Sequence, residues 1–416
     1  MTLEHLFDPG AVAVVGASDT EGKVGYEAMA NAVAFDGPVS PVNPSGSGTL
    51  FGEQFVGSVA DVDDDVDGEA LQAETVAAAR EGDVTLLGPN TSGFVVPARD
   101  LFCSFASGVA DIPAGNTAVV AQSGGLAHVL AFLSRRQDRG VSAMVGLGNR
   151  ATVGFAETVR YFDADDRTDA IVLHVEGTDD GRALLSACRG SETPVVAYKV
   201  GQSDVGDFAA SHTGALTGDH ELYAAGFAQY GVPTVEASDH LLDAAAALGD
   251  SPDPDGPNVG VVTAQAGPGI IIADRIQRAG GRLPELAGET RERIDDALRG
   301  VTYTGNPVDT GRPMPEFGGV VTAVAEDDNV DIVLVYELFE AALGFPVDAL
   351  SSLADRVDKP VLFATEGIEE DMAADRRALS AAGVPLFATP ERAAEAAGVL
   401  ARYAGLSDRR EAPADD

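Results

Sequence analysis

Residues 211–218 read SHTGALTG, one histidine set among small residues and two glycines. A neutral imidazole is a usable nucleophile near pH 7, whereas a lysine ammonium is not. His212 is therefore a candidate nucleophile, with metal ligation and a plain polar loop residue as the alternatives. A second pair lies upstream. His174 and Glu176 are two residues apart in AIVLHVEG and share one face of an expected strand. No third ligand follows at a suitable spacing, so a metal site is not expected there. Glu176 itself, standing just after a strand, could equally cap a helix. Gly16, Gly22 and Gly25 bracket the turn in VVGASDTEGKVG (14–25). Such a turn lets a helix N-terminus meet a phosphate through backbone N–H groups, although a tight strand–helix turn uses the same glycines.

These residues need a frame to hold them, and the apolar runs supply it. They are short, valine-rich and bounded by Gly or Pro: 12–15, 117–120, 170–175, 194–200, 259–262, 331–336 and 360–364. Alanine-rich helical stretches alternate with them. Continuous apolar strands alternating with helices predict an α/β fold with parallel sheets covered on both faces. The chain also repeats itself. NTAVVAQSGGLAHVL parallels NVGVVTAQAGPGIII, DAIVLHVEG parallels VDIVLVYEL, and TPVVAYKVG parallels KPVLFATEG. The pairing sets Glu176 opposite Glu337 and predicts two copies of one domain joined by the Pro/Asp/Gly stretch 249–257. The second copy has no counterpart of SHTGALTG, which favours a functional role for His212 over a role in the fold.

Composition narrows the function classes. Lys and Arg number 27 against 66 Asp and Glu, a net charge of −39, and only Lys23, Lys199 and Lys359 are lysines. Nucleic-acid binding needs a basic face and is not expected. No Asp-rich calcium loop with its closing glutamate is present. Two cysteines, Cys103 and Cys188, are too few for a disulfide framework or a cysteine zinc site. The first ten residues lack a secretion pattern, and no apolar run approaches the length of a membrane span, so a cytoplasmic protein without membrane attachment is expected. The acidic residues are dispersed, apart from a short acidic tail at 409–416, and read as the signature of a halophilic cytoplasm.

Eight motifs occur in order: VVGASDTEGKVG (14–25), PVNP (41–44), LLGPN (86–90), AQSGGLA (121–127), GLGN (146–149), SHTGALTG, AGPGI (266–270) and GNPVD (305–309). Together, over about residues 5–400, they resemble the alpha part of the ADP-forming acyl-CoA synthetases, the acetate–CoA ligase group within the succinyl-CoA synthetase superfamily. The resemblance implies a shortened Rossmann-like CoA-binding domain over 1–112 and two flavodoxin-like succinyl-CoA-ligase domains over 113–250 and 257–408. It implies the reaction acyl-CoA + ADP + phosphate ⇌ acid + CoA + ATP, on a short-chain acid or its acyl-CoA. A phosphohistidine carries the phosphoryl group to a nucleotide and Mg²⁺ held by an ATP-grasp beta subunit, in a hetero-oligomer. By position, His212 matches the phosphorylated histidine and Glu176 the carboxylate that holds its ring. Gly16, Ser18, Gly22, Lys23, Asn43, Pro89 and Asn90 match the CoA side. Ser123, Gly124, Gly125, Asn149, Lys199 and Ser211 match the phosphate side, and no metal ligand is implied on this chain.

The first block departs from the pattern. Residues 57–83 offer one helix and no apolar strand of four, so its sheet is expected to hold three parallel strands, 12–15, 39–42 and 84–87. Thr152 stands where similar proteins carry aspartate. A non-catalytic paralogue that binds CoA or acyl-CoA, or regulates, is therefore the alternative function. A sensing module associated with an acyltransferase ranks below it, since no acetyltransferase segment is visible. An NAD-dependent dehydrogenase is not expected, given the missing GxGxxG and PVNP where an acidic ribose ligand would stand. The charge generates a direct test. At molar salt the Debye length is about 3 Å and self-repulsion is screened. The chain should lose its native circular dichroism on dialysis into dilute buffer and keep it in molar KCl; full stability in dilute buffer would remove the halophile reading.

Overall fold

A computed structural model describes residues 3–43, 48–54, 68–201, 220–298, 303–340, 346–367 and 369–406. It falls into two compact units that divide between Gly226 and Phe227. The acidic tail expected at 409–416 lies outside the described residues.

The first unit opens with β1 (Val12–Val15), α1 (Val24–Ala32) and β2 (Val39–Val42). The two strands pair in parallel, Val12 with Val39 through Val15 with Val42, and form a two-stranded sheet. The helix expected between 57 and 83 is α2 (Gly68–Glu81). The third strand expected at 84–87 does not form. The hydroxyl of Thr152 takes the main-chain groups that a ladder would use: it donates to the Leu86 carbonyl at 2.7 Å and accepts from the Leu86 N–H at 3.1 Å. A side chain thereby competes with strand pairing for the same backbone groups. The block is tied to the rest of the unit by the buried Asn31, whose amide donates to the carbonyls of Ser104 (2.8 Å) and Ala106 (3.0 Å).

The main sheet of this unit has six strands. They are β3 (Gly93–Val96), β4 (Leu101–Ser104), β5 (Ala114–Ala121), β6 (Val141–Gly146), β7 (Ala170–Val175) and β8 (Val195–Lys199), in spatial order β8-β7-β5-β6-β3-β4. The run β8-β7-β5-β6 is parallel, and every residue of β6 and β7 is buried, as expected for a sheet covered on both faces. The hairpin β3–β4 was not apparent in the sequence pattern. It adds antiparallel to β6 through Phe94–Val145 and Val95–Met144. Helices α3 (Gly124–Arg136), α4 (Phe155–Asp163) and α5 (Gly181–Arg189) connect the parallel strands. Asp180 caps α5 by accepting the Ala183 N–H at 2.8 Å. Helix α6 (His220–Gln229) spans the division between the units.

The second unit starts with α7 (His240–Gly249) and then builds five parallel strands: β9 (Val259–Thr263), β10 (Val308–Asp309), β11 (Ile332–Tyr336), β12 (Val361–Ala364) and β13 (Leu386–Phe387). Their order is β10-β9-β11-β12-β13, which counts as 2-1-3-4-5, the flavodoxin order. Helix α8 (Ala266–Arg278) follows β9, and the unit closes with α13 (Pro390–Gly405). Pro390 at the first helical position and the Thr389 hydroxyl accepting the Arg392 N–H start α13 cleanly. Packing and repeat divide the chain at different places. The repeat breaks at 249–257, but α7 packs on α13, and eight of its ten residues are buried. Among the described residues no helix is long and apolar enough to cross a membrane.

The α7–α13 contact holds one buried charge pair. The Arg392 guanidinium makes a bidentate pair with Asp243, at 2.6 and 2.9 Å, and the Asp243 residue is 2% exposed. Removing one member of such a pair strands the other charge, at a cost of about 3–5 kcal/mol. Arg392→Ala should lower the unfolding free energy by that order in denaturant titrations at fixed molar salt. A loss below about 1 kcal/mol, the range of surface pairs, would show that the pair is not structural.

Candidate functional site

The site is built where β5, β6 and β7 end. Gln122 follows β5 and is 3% exposed. Its main chain bridges two neighbours: the N–H donates to the His174 carbonyl at 3.1 Å, and its own carbonyl accepts the Gly148 N–H at 3.1 Å. Its side-chain Oε1 accepts the N–H groups of Glu176 (3.1 Å) and Gly177 (3.0 Å). One glutamine thus fixes the loop that carries Glu176 against the turn that starts α3. Ser123 is the N-cap of α3, accepting the Leu126 N–H, with Gly124 and Gly125 in the first turn. The approach there is close. A Cβ on Gly124 would lie 2.3 Å from Ser92 Oγ, and one on Gly146 would lie 3.1 Å from Gly124 Cα. Helix-terminal N–H groups and the helix dipole make this turn suited to an anion.

Asn149 sits at the rim. Its N–H donates to the Pro89 carbonyl at 2.9 Å, its amide Nδ2 donates to Gln72 at 2.8 Å, and its Oδ1 accepts from Asn90 at 3.4 Å. Pro89 and Asn90, expected on the CoA side, are therefore placed beside the phosphate candidates. Lys199 ends β8 and is 1% exposed. Its ammonium donates to the Val200 carbonyl and lies 4.9 Å from the centre of the Tyr223 ring. Burial pulls its pKa down, and the nearby Glu176 carboxylate pulls it back up. His174 is buried and neutral: burial lowers its pKa to about 4, and its Nδ1 has no partner among the described residues. Glu176 is half-buried at the loop surface. His212 and Ser211 lie outside the described residues, as does all of 202–219. Among the described residues no group of three acidic, histidine or cysteine side chains is placed to hold a metal.

The remaining CoA-side candidates gather at the ends of β1 and β2. Gly16 has φ +83° and donates to the Val42 carbonyl at 2.8 Å. A Cβ on Gly25 would lie 2.0 Å from the Gly16 carbonyl, so the first turn of α1 packs directly on this loop. Asn43 Nδ2 donates to the Ala17 carbonyl at 2.7 Å. The Ser18 hydroxyl accepts the Thr20 N–H, Gly22 has φ +84°, and the exposed Lys23 is the N-cap of α1 without a side-chain cap bond. The uncapped α1 terminus fits a phosphate of CoA chemically.

Sequence reasoning missed two residues. Gln122 had a partial signal in the repeat: Gln265, one step farther along by strand register, accepts a single amide of the corresponding loop, the Leu338 N–H at 3.2 Å. Tyr223, whose hydroxyl accepts the Thr178 N–H at 3.0 Å, carried no signal. One expectation is corrected. Tyr336 pairs with Thr263 as His174 pairs with Ala121, and both first strands end two residues before the N-cap of the following helix. Strand register therefore sets Glu337 at the position of Val175, and Leu338 opposite Glu176. The one-residue shift turns the side chain to the other face. Glu337 is buried accordingly, and burial, then the Glu340 charge, raises its pKa from 4.5 to about 7.

A family described as the succinyl-CoA ligase like flavodoxin domain matches residues 114–248, and a CoA binding domain matches residues 10–86. The chain is 31% identical to acetate–CoA ligase (ADP-forming) I of Archaeoglobus fulgidus, over 99% of this chain and 65% of that one, so it spans under two thirds of that relative. It is 29% identical to the alpha subunit of the Pyrococcus furiosus acetate–CoA ligase (ADP-forming) I, over 97% and 98%. The structure superposes with a TM-score of 0.84 and 26% identity on the dinucleotide-forming acetyl-coenzyme A synthetase 1 of Candidatus Korarchaeum cryptofilum in complex with phosphate and ADP, covering 98% of each chain.

Glu337 generates a pH test. A carboxyl whose folded pKa lies above its unfolded value contributes stability that is complete below the unfolded value, here 4.5, and lost as pH rises through about 7. Glu337→Gln should abolish a pH-dependent difference of roughly 3 kcal/mol across that window. The measurement is denaturant unfolding at several pH values in molar salt; parallel wild-type and variant curves would show that Glu337 does not titrate there.

Proposed function

We propose that this chain, which belongs to the alpha-subunit-like proteins of ADP-forming acetyl-CoA synthetase, with a CoA-binding domain and succinyl-CoA-ligase flavodoxin-like domains, is a working alpha subunit of an acid–CoA ligase. Its three domains are 1–112, 113–250 and 257–408. The reaction is acyl-CoA + ADP + phosphate ⇌ acid + CoA + ATP, with a short-chain acid. The observation that carries this reading is the Gln122 junction, which sets a carboxylate loop and a glycine-rich helix N-terminus side by side.

Each residue then has a task. The N–H groups of Gly124 and Gly125, with the Ser123 hydroxyl and Asn149 at the rim, hold the phosphoryl oxygens without a mobile counter-ion. Phosphate attacks the thioester carbonyl, the C–S bond breaks and CoA leaves as its thiolate, giving an acyl phosphate; His212 attacks this at phosphorus, the bond to the acyl oxygen breaks, and the acid leaves as carboxylate. Glu176 accepts a hydrogen bond from the other ring nitrogen, which fixes the tautomer and stabilises the charge that develops. Ser211, the neighbour of His212 in sequence, serves the same phosphoryl group. His212 then gives the phosphoryl group to ADP, with Mg²⁺, on an ATP-grasp beta subunit; the Pyrococcus relative is itself named as an alpha subunit. On the CoA side, the α1 terminus behind Gly16, Ser18, Gly22 and Lys23, with Asn43, takes the nucleotide phosphates, and Pro89 and Asn90 lie toward the thioester.

A second reading draws on one observation. In the described part of residues 1–86 the one parallel pair is β1 with β2, beside a short antiparallel pair of Thr49–Leu50 with Glu53–Gln54, and 84–87 is held by Thr152 instead of in a sheet. A chain that binds CoA or acyl-CoA without phosphoryl transfer would tolerate that. The two readings part in one experiment. The full chain is mixed with its ATP-grasp partner, Mg²⁺ and ATP labelled at the γ-phosphate, in molar salt. Acid-labile, base-stable label should appear on the chain and be lost in His212→Ala. Label of equal strength in the variant would sink the assignment. No label in the wild type, with CoA binding retained by calorimetry, would leave the non-catalytic reading.

A further inference from the structure

Arg150 is a buried cation with one weak partner. It follows Asn149 in the turn after β6, and its backbone is left-handed, φ +57°. That region is strained for a residue with a Cβ. The flanking amides enforce it: the Asn149 N–H donates to the Pro89 carbonyl and the Ala151 N–H to the Gly88 carbonyl, both at 2.9 Å. Gly148 takes the same region at φ +58° without that strain. Backbone geometry alone would favour glycine at 150 as well, so the reason for an arginine lies in its side chain. That side chain is 9% exposed, and its guanidinium makes no hydrogen bond among the described residues. Its one charge contact is the Asp179 carboxylate at 3.6 Å, on a side chain that is 96% exposed. Arginines of the second unit that leave the surface are matched better. Arg392 has its bidentate carboxylate, and Arg402 donates to the carbonyls of Ala279 and Thr234. Five N–H donors held from water without acceptors are costly, and an arriving anion removes that cost.

Arg150 lines a cavity of about 300 Å³, within the range of small-molecule sites. The cavity opens where α4 and α5 begin, so two positive helix ends border it, and Arg80 of α2 brings a second guanidinium. Phe155 and Leu184, each 2% exposed, give it an apolar wall. Three carboxylates share the lining, and each is engaged. Glu157 accepts the Gly154 N–H at 3.1 Å, Asp180 accepts the Ala183 N–H at 2.8 Å, and Asp179 faces Arg150. These acids limit the charge of a ligand: a phosphate dianion meets twice the repulsion that a monoanion meets. A planar carboxylate fits the fork of one guanidinium with two parallel hydrogen bonds. The apolar wall suits a short alkyl chain, for which phosphate has no counterpart.

We propose that this cavity binds a small organic monocarboxylate, its carboxylate held by the Arg150 guanidinium and its alkyl chain laid against Phe155 and Leu184. The exposed Asp179 holds the place that the ligand carboxylate takes. Two sources share this chemistry, the acid of the proposed reaction and an effector acid. The cavity lies at the carboxyl ends of β6 and β7, the strands on either side of β5, whose end carries the glycine-rich turn. Binding there depends on no phosphoryl transfer; only the choice between the two sources rests on the proposed function.

The test is calorimetric titration of the full chain with sodium butyrate in molar KCl, beside Arg150→Gly and Arg150→Met. Butyrate should bind the wild type saturably and lose at least about tenfold in affinity in both variants. Arg150→Gly relieves the left-handed backbone and should melt close to the wild type, so its loss of binding is not a loss of fold. The Arg150 Nε–H signal in nitrogen-15 NMR, identified by its absence from either variant, should shift in the wild type with the same butyrate midpoint. No saturable binding to the wild type, a signal that does not move, or equal binding to Arg150→Gly overturns the proposal. Inorganic phosphate should depend on Arg150 by less than about threefold; a dependence beyond about tenfold would assign the cavity to phosphate and overturn the carboxylate. Kinetics with the ATP-grasp partner separate the two sources. An Arg150→Gly defect confined to KM for the acid identifies the acid of the reaction. An unchanged KM, with kcat of the wild type alone altered by added butyrate, identifies an effector. The calorimetry reports on the cavity whether or not His212 takes label.

Discussion

The first unit depends on one buried amide. Gln122 joins three crossovers at the carboxyl end of the sheet: its N–H reaches β7, its carbonyl reaches the turn after β6, and its Oε1 holds the loop after β7. Leaving such groups buried and unpaired would cost about 1–3 kcal/mol each. No apolar residue of the same volume can replace it, because two amides of the Glu176 loop would lose their acceptor. The geometry of Glu176 relative to the α3 terminus is thus decided by hydrogen bonding in the core and not by the surface loop that carries the acid. The second unit holds one amide of the corresponding loop with a glutamine one register step away, Gln265.

On the proposed function, a chain of net charge −39 binds anions against its own field. Clusters of lysine are not its means, since three lysines are all it has, and one of them is buried under Tyr223. Main-chain amides supply the alternative. They carry no net charge, add no surface repulsion and are weakly screened when partly buried. That explains the close packing of glycines around α3. Gly124 leaves no room for a Cβ beneath Ser92, and Gly148 (φ +58°) leaves none beneath Pro89, where a Cβ would lie 2.3 Å from the carbonyl oxygen. Removing side chains there brings backbone to backbone, and the helix terminus stays open where it faces outward at Gly125.

The legible parts of the sequence were those where one residue type serves one purpose. Valine-rich runs became the parallel strands, and the glycine-rich turns became helix starts. The failures share a different cause, competition. The run at 84–87 has the composition of a strand, but a threonine sixty-odd residues later takes its backbone groups. The hairpin at 93–104 was hidden because its partner, β6, reads as a strand already satisfied by β5. Glu337 matched Glu176 letter by letter, yet register decides which face a residue takes, and one step exchanged a half-buried acid for a buried one. Tyr223 was invisible because its role is set by what lies opposite, at Thr178 and Lys199.

Duplication explains why the two halves could diverge so far. A doubly wound sheet presents the carboxyl ends of its strands as a ready-made crevice, whatever the side chains there. The copy in the first unit places an acid and a cation at neighbouring strand ends; the second copy has an apolar residue and a threonine at the same two places, and its glutamate is turned into the core. The side chains at the strand ends could therefore change in one copy without disturbing the sheet that both copies share.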